Sequence, residues 1–177
     1  LNMNRKTAYD LISVYKPKLK WVNIDSLAPN ALMKQQFMSL NYDLVKAEYT
    51  YGDSRIDFYM EKNGEKFLTE VKGCTLADDL HPGIGLFPDA PTERGVKHLH
   101  ELTKAAKEDC HTAIAFVIQM NVIHRVLPNE TAQPEFKKAL VEAAMAGVQI
   151  VCYSCHVEAD RVKITSVTED TSSYVNM

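Results

Sequence analysis

The sequence lacks long hydrophobic runs and any clear mark of export. It contains no stretch of about 18 consecutive apolar residues, and its first residues do not follow the basic-then-apolar order of a signal peptide. We therefore expect a cytoplasmic protein without membrane contact. Glycine and proline number only seven each among 177 residues, which excludes collagen-like and low-complexity classes.

The sequence also lacks an excess of basic residues. Its formal net charge is −3, with 46% hydrophobic and 24% charged residues, as in an ordinary globular protein with one good core. This balance argues against a basic coat over the whole surface. A nucleic-acid partner would have to be recognised by a local patch.

Cysteines are few, and their spacing predicts neither haem nor zinc. Cys152 to His156 reads CYSCH, the letters of a c-type haem attachment site, but the surrounding run VQIVCYSCHVEADRVKI is typical of a strand. No second paired Cys/His set stands at zinc-ligand spacing. We expect the thiols of a reduced cytosolic protein, without haem, at Cys74, Cys110, Cys152 and Cys155.

Two strand-like runs carry the residues of greatest chemical interest. SRIDFYM contains Asp57, KFLTEVK contains Glu70 and Lys72, and Asn63-Gly64 between them predicts a hairpin turn. Residues two apart on a strand share a face, so Glu70 and Lys72 project together beside Asp57. Two carboxylates, with the backbone carbonyl of Val71 and water, suit Mg²⁺ or Mn²⁺, and the lysine would assist an attacking water. The competing interpretation is a solvated Glu-x-Lys pair at a strand end.

The element order predicts a mixed α+β fold, with a mixed sheet flanked by helices. A helix is expected over residues 29–38, followed by strands over 44–51, 55–60 and 66–72, a loop without periodicity over 73–88 and a helix over 90–108. A buried strand over 112–119, a helix from Pro134 and a strand over 148–153 complete it. This restriction-endonuclease-like αβββαβ core resembles the PD-(D/E)xK nuclease superfamily.

Four separated blocks give a closer resemblance. WVNIDSLAPN, SRIDF, LTEVKGCTL and LFPDAPTERGVKHLHEL, in this order, are similar to blocks of the sugar fermentation stimulation protein A family. The resemblance implies an N-terminal OB-like barrel followed by a nuclease-like domain, with DNA binding and a suggested regulatory role in sugar utilisation. We predict strands over 6–15 and 20–24, interpret residues 1–25 as a remnant of the barrel, and assign residues 26–177 to the nuclease-like domain.

The first helix reads NALMKQQF and lacks the glutamate that many members of the superfamily carry there. A third carboxylate would have to be Glu48, Asp53 or Asp89, which the sequence does not rank. Asp89 also fits a helix N-cap, because Ala90 and Pro91 follow it.

Basic residues that could contact phosphates fall on the second strand and on the helix predicted over 90–108. The proposed contacts are Arg55, which would share the face of Asp57, with Arg94, Lys97 and His98 on the helix. Glu93 and Glu101 dilute this basic pattern, so an ordinary solvated helix face is the alternative.

The sequence therefore predicts a metal-dependent, nuclease-like protein that acts on nucleic acid, DNA in preference to RNA, with little sequence specificity. One alternative is a DNA-binding regulatory protein with a vestigial site, and another is a module that binds a small phosphorylated metabolite. The oligomeric state is left open, with a homo-oligomer among the alternatives.

Overall fold

The computed structural model describes residues 10–177. Its strands are β1 (Ser13–Lys16), β2 (Lys20–Asn23), β3 (Leu44–Tyr51), β4 (Ser54–Lys62), β5 (Glu65–Cys74), β6 (Leu76–Ala77), β7 (Ile84–Phe87), β8 (His111–Ile118), β9 (Arg125–Pro128), β10 (Gln149–Val157) and β11 (Val162–Glu169). The helices are α1 (Ala28–Met38), α2 (Glu93–Ala106), α3 (Pro134–Met145) and α4 (Thr171–Val175).

A six-stranded mixed sheet in the order β11-β10-β8-β5-β4-β3 forms the centre of the fold. β5, β8 and β10 pair in parallel, whereas β3, β4 and β5 form an antiparallel meander and β11 pairs antiparallel with β10. The predicted mixed α+β class and the αβββαβ order are confirmed. The carboxyl ends of β5 and β8 therefore lie side by side, where open sheets of this kind commonly bind ligands.

Helices cover both faces of the sheet. Met33 and Phe37 of α1 pack on one face, and the apolar stripes of α2 and α3 pack on the other. β8, with the sequence HTAIAFVI, divides its side chains between the two cores, because Ile114 faces the α2 side and Ala115 the α1 side. Burial on both faces explains its nearly continuous apolar sequence.

The β4–β5 hairpin forms as the turn signal predicts. Lys62 pairs with Glu65, and the two residues between them, Asn63 and Gly64, have positive φ angles of 52° and 83°. Two central residues with positive φ match the twist of the flanking strands, and asparagine and glycine adopt them at little cost.

Other boundaries differ from the prediction. The expected loop over 73–88 contains β6 and β7, which form a small sheet with β9. α2 begins at Glu93, because the Thr92 side chain accepts a hydrogen bond from the Gly95 amide at 3.0 Å and caps the helix. Asp89 is therefore not the N-cap.

At the amino-terminal end, β1 and β2 pair with each other, and the Asn23 amide donates to the Gln119 carbonyl at 3.0 Å. The strand expected over 6–15 falls partly outside the described residues, and the assignment of 1–25 to a barrel remnant stays a prediction. Cys152 and Cys155 lie buried in β10. No helix within residues 10–177 is long and apolar enough to span a membrane.

Candidate active site

An open cleft of about 440 Å³ lies at the carboxyl ends of β5 and β8. Its walls come from the segment after β2, the first turn of α1, strands β4 and β5, and the start of α2. Its polar lining residues include Asp25, Asn30, Asp57, Glu70, Lys72, Asp89, Arg94 and Gln119. The cleft therefore gathers the two predicted carboxylates and the predicted lysine in one place.

Asp57 lies where β4 separates from β5. The hydrogen-bonded register ends at Phe58 opposite Thr69, and continuing it would place Asp57 opposite Glu70. Side-chain contacts replace the ladder at this point. The Val71 amide donates to Asp57 Oδ2 at 2.8 Å, and the Asp57 amide approaches Glu70 Oε2 at 3.4 Å. Both carboxylates are thus fixed by the backbone of the neighbouring strand.

Glu70 is buried, with 2% of its surface exposed, but it has cationic and polar partners. Lys72 Nζ donates to Glu70 Oε1 at 2.7 Å, and His98 Nδ1 makes a short hydrogen bond to the same oxygen. Burial alone would raise the pKa of Glu70, but the His98 hydrogen bond and the charge of Lys72 together hold it below its usual value. Glu70 is therefore ionised at neutral pH.

The pKa of Asp57 shifts in the opposite direction, upward. Burial raises its pKa, and the negative charge of Glu70 raises it further, although the Val71 amide, Asn30 and Lys72 act in the other direction. Asn30 Nδ2 donates to Asp57 Oδ1 at 3.0 Å. Two adjacent carboxylates, one of them disfavoured in its ionised form, are an arrangement that a divalent cation would stabilise.

The donor set fits a hard cation that keeps most of its water. Asp57 and Glu70 both line the cleft, as does Val71, whose carbonyl was the predicted third oxygen. Among residues 10–177, no three or more His, Cys, Asp or Glu side chains are grouped so that they could hold a metal ion, so a cation here would have two carboxylate ligands. Mg²⁺ and Mn²⁺ suit such a site, because they bind through one or two carboxylates and complete their shell with water or phosphate oxygens.

We expect Asp57→Asn to leave the cation-free protein at least as stable as the wild type at pH 7. An acid whose pKa is raised on folding binds more protons in the native state, so its contribution to stability falls as pH rises through that range. The asparagine oxygen can still accept from Val71 while the charge is removed, and the exposed Asn30 amide can turn its oxygen toward the new amide nitrogen. Urea unfolding in EDTA measures the free energy of unfolding. The difference in favour of Asp57→Asn over the wild type should be present at pH 7 and smaller near pH 4. A variant clearly less stable than the wild type at pH 7 would contradict this description of Asp57.

Arg55 does not reach the cleft, although strand alternation placed it on the face of Asp57. Ile56 and Tyr59 pack in one core while Phe58 packs in the other, so the two-residue alternation breaks at Asp57. Arg55 is 61% exposed, and its Nη2 lies 3.4 Å from Glu48 Oε1. The expectation that Arg55 shares the face of Asp57 is therefore wrong, and its contact with a phosphate stays a prediction.

The three residues of α2 that were predicted to contact phosphates lie in different surroundings. Arg94 lines the cleft, whereas Lys97 lies outside its lining and donates from Nζ to the Asp53 carbonyl at 2.8 Å. His98 is only 3% exposed, and its ring is directed at Glu70. The prediction that His98 binds nucleic acid at the surface is therefore corrected, because its ring is buried and hydrogen-bonded to Glu70.

Of the three candidates for a third carboxylate, only Asp89 lines the cleft. Glu48 pairs with Arg55, and Asp53 sits outside the lining. Asp25, which was not among the predicted site residues, also lines the cleft, and its Oδ1 accepts from the Leu27 amide at 2.9 Å.

Two further polar residues of the cleft were missed. Asn30 orients Asp57, and Gln119 Nε2 donates to Asn23 Oδ1 at 2.7 Å and to the Asp25 carbonyl at 3.1 Å. Gln119 thereby fixes the segment that leads from β2 into the cleft. Asn30 and Asp25 both fall in the block WVNIDSLAPN, and polar residues at the start of a helix were the signal that could have identified them.

Comparisons with known proteins agree with one another. The family described as the sugar fermentation stimulation protein RE domain matches residues 24–161. The chain is 43% identical over 172 residues to a sugar fermentation stimulation protein homolog of Ruminiclostridium cellulolyticum, covering 95% of this chain and 74% of that protein. A homolog of Clostridium botulinum is 41% identical over 172 residues, covering 93% and 73%.

The fold also matches a solved structure. Pyrococcus furiosus SfsA in complex with Ca²⁺ superposes with a TM-score of 0.76 and 24% identity, covering 93% of this chain and 71% of that chain. At that identity the likeness establishes the fold alone.

Proposed function

Because this chain belongs to the sugar fermentation stimulation protein family, we propose that it is a metal-dependent nuclease-like protein that acts on DNA with little sequence preference. The observation that carries the proposal is the junction of β4 and β5, where Asp57, Glu70 and Lys72 meet in one open cleft. DNA is the preferred substrate over RNA, and the proposed location is the cytoplasm.

Asp57 and Glu70 would hold Mg²⁺ or Mn²⁺, with the Val71 carbonyl as a third protein oxygen. The P. furiosus relative was solved with Ca²⁺, which supports a divalent cation in this fold. A bound cation would supply positive charge to a phosphate oxygen and lower the pKa of a coordinated water. Lys72, with its side chain 14% exposed and its ammonium held by Glu70, would orient the attacking water and offset charge on the phosphate.

Arg94 is the best-placed phosphate contact. It reaches the cleft from the first turn of α2, and a guanidinium binds phosphate oxygens through two parallel hydrogen bonds. Lys97 is exposed one turn along and would add a second contact beside the cleft. Neither contact reads a base, which agrees with weak sequence preference.

Replacing Arg94 and Lys97 together by alanine should weaken DNA binding equally for all sequences. Two lost phosphate contacts reduce the slope of log affinity against log salt concentration by up to about 2. Fluorescence anisotropy over a salt series measures this slope. Lys104→Ala is the matched control, because Lys104 is exposed on the same helix but does not line the cleft. An unchanged slope in the folded double variant would show that this end of α2 is only a solvated surface.

A DNA-binding regulatory protein with a vestigial site is the second candidate, because the family name connects these proteins with sugar fermentation rather than with DNA cleavage. Incubation with supercoiled plasmid and with single-stranded DNA, in Mg²⁺, Mn²⁺ or EDTA, separates the two. Metal-dependent nicking supports the enzyme. DNA binding without cleavage under every metal condition supports the regulatory protein.

A further inference from the structure

A line of polar contacts connects the first turns of α2 with the carboxylate of β5. Arg94 Nε lies 3.4 Å from His98 Nε2, and His98 Nδ1 makes a short hydrogen bond to Glu70 Oε1. Lys72 Nζ reaches that same oxygen at 2.7 Å. Arg94 and His98 are four residues apart, so they lie on one face of the helix.

The chemistry of the partners fixes the role of each ring nitrogen of His98. An ionised carboxylate only accepts hydrogen bonds and a guanidinium only donates them. His98 Nδ1 therefore carries the proton that is donated to Glu70, and Nε2 accepts from Arg94. A neutral imidazole with its proton on Nδ1 satisfies both contacts, whereas a proton on Nε2 would place two donors face to face.

The same contacts distinguish the two oxygens of Glu70. Oε1 accepts from both Lys72 and His98, whereas Oε2 has only the long 3.4 Å approach of the Asp57 amide. Oε2 is therefore the oxygen turned toward Asp57 and available to a cation. Arg94, which lines the cleft, uses Nε for His98, so this contact does not occupy its terminal nitrogens.

We propose that His98 is a positioning residue that acts on two groups at once: it holds Glu70 so that Oε2 faces the cation site, and it aims the Arg94 guanidinium at a non-bridging oxygen of a phosphodiester. The proposal rests on the function proposed above and adds that the two contacts of His98 fix the distance between the cation site and the phosphate contact. Burial holds the His98–Glu70 pair in place, because His98 is 3% and Glu70 is 2% exposed.

The histidine can be tested apart from catalysis. His98→Asn keeps an amide donor near the position of Nδ1 but removes the acceptor that holds Arg94. Binding of a fluorescein-labelled DNA duplex in EDTA should weaken about 10-fold in His98→Asn and about 10-fold in Arg94→Ala, as for loss of one charged hydrogen bond. The double variant should bind like Arg94→Ala alone, because both changes remove the same contact.

Mn²⁺ affinity measured by calorimetry should stay within about 3-fold of wild type in His98→Asn, since Glu70 keeps its donor.

Additive losses in the double variant, or wild-type DNA affinity in His98→Asn, would overturn the proposal. ¹⁵N NMR of the wild-type imidazole is an independent test that needs no folded variant: Nδ1 should show a protonated shift and Nε2 an unprotonated one. A proton on Nε2 would refute the assignment. Because binding is measured in EDTA, failure of the protein to cut DNA would remove the nuclease function without removing these results.

Discussion

Asp57→Asn should lose metal-dependent DNA cleavage by on the order of 10³-fold while the protein still folds and binds DNA. Asp57 would supply one of the two carboxylate ligands, and an amide oxygen is a much weaker ligand for a hard cation. DNA affinity in EDTA should be unchanged or slightly higher, because removal of a negative charge reduces repulsion of phosphates.

A plasmid-nicking time course in Mg²⁺ measures this effect, with anisotropy for binding. Asp160→Asn is the matched control, since Asp160 is 75% exposed in the β10–β11 turn, away from the cleft. Cleavage by Asp57→Asn at the rate of Asp160→Asn would exclude Asp57 as a ligand of a catalytic metal.

Glu70→Ala should unfold far more easily than the wild type, in contrast to Asp57→Asn. The substitution leaves the Lys72 ammonium and the His98 ring without their buried acceptor, and removal of one partner of a buried ion pair costs about 3–5 kcal/mol. For a chain of this length we expect the melting temperature to fall by roughly 10 °C. Glu70 stabilises the fold above its ordinary pKa, because its pKa is lowered in the native state, and this contribution is lost as pH falls through the lowered value.

Thermal unfolding at pH 7 provides the measurement, with Glu130→Ala as control. Glu130 is 61% exposed and pairs with Lys137, so its loss should cost less than about 1 kcal/mol. Equal effects of the two substitutions would show that Glu70 is not the centre of a buried network. A consequence for mutagenesis is that inactivity of Glu70→Ala alone says little about catalysis.

The hairpin that carries Asp57 and Glu70 was predictable because its signals are local. Asn63-Gly64 fixes the turn, the turn fixes the register, and the register brings the two carboxylates together. The meander and its helical crossovers followed from periodicity and element order. These features depend on neighbours in sequence, which a single sequence displays.

The positions of Arg55 and His98 depended on distant contacts instead. Strand alternation is reliable only while the ladder is regular, and it breaks at Asp57, where the pairing of β4 with β5 ends. His98 belongs to a mixed polar pattern on α2, and nothing local shows that Glu70, 28 residues earlier, would bury it. β6 and β7 were missed for the same reason, since strands of two and four residues form only by pairing with each other and with β9.

The most direct test is anomalous scattering from crystals soaked in Mn²⁺. The expected result is a peak between the Asp57 carboxylate and Glu70 Oε2 that is absent from Asp57→Asn crystals treated in the same way. A wild-type cleft without a peak at saturating Mn²⁺, or a peak only at other residues, would contradict the assignment of this cleft as the metal site.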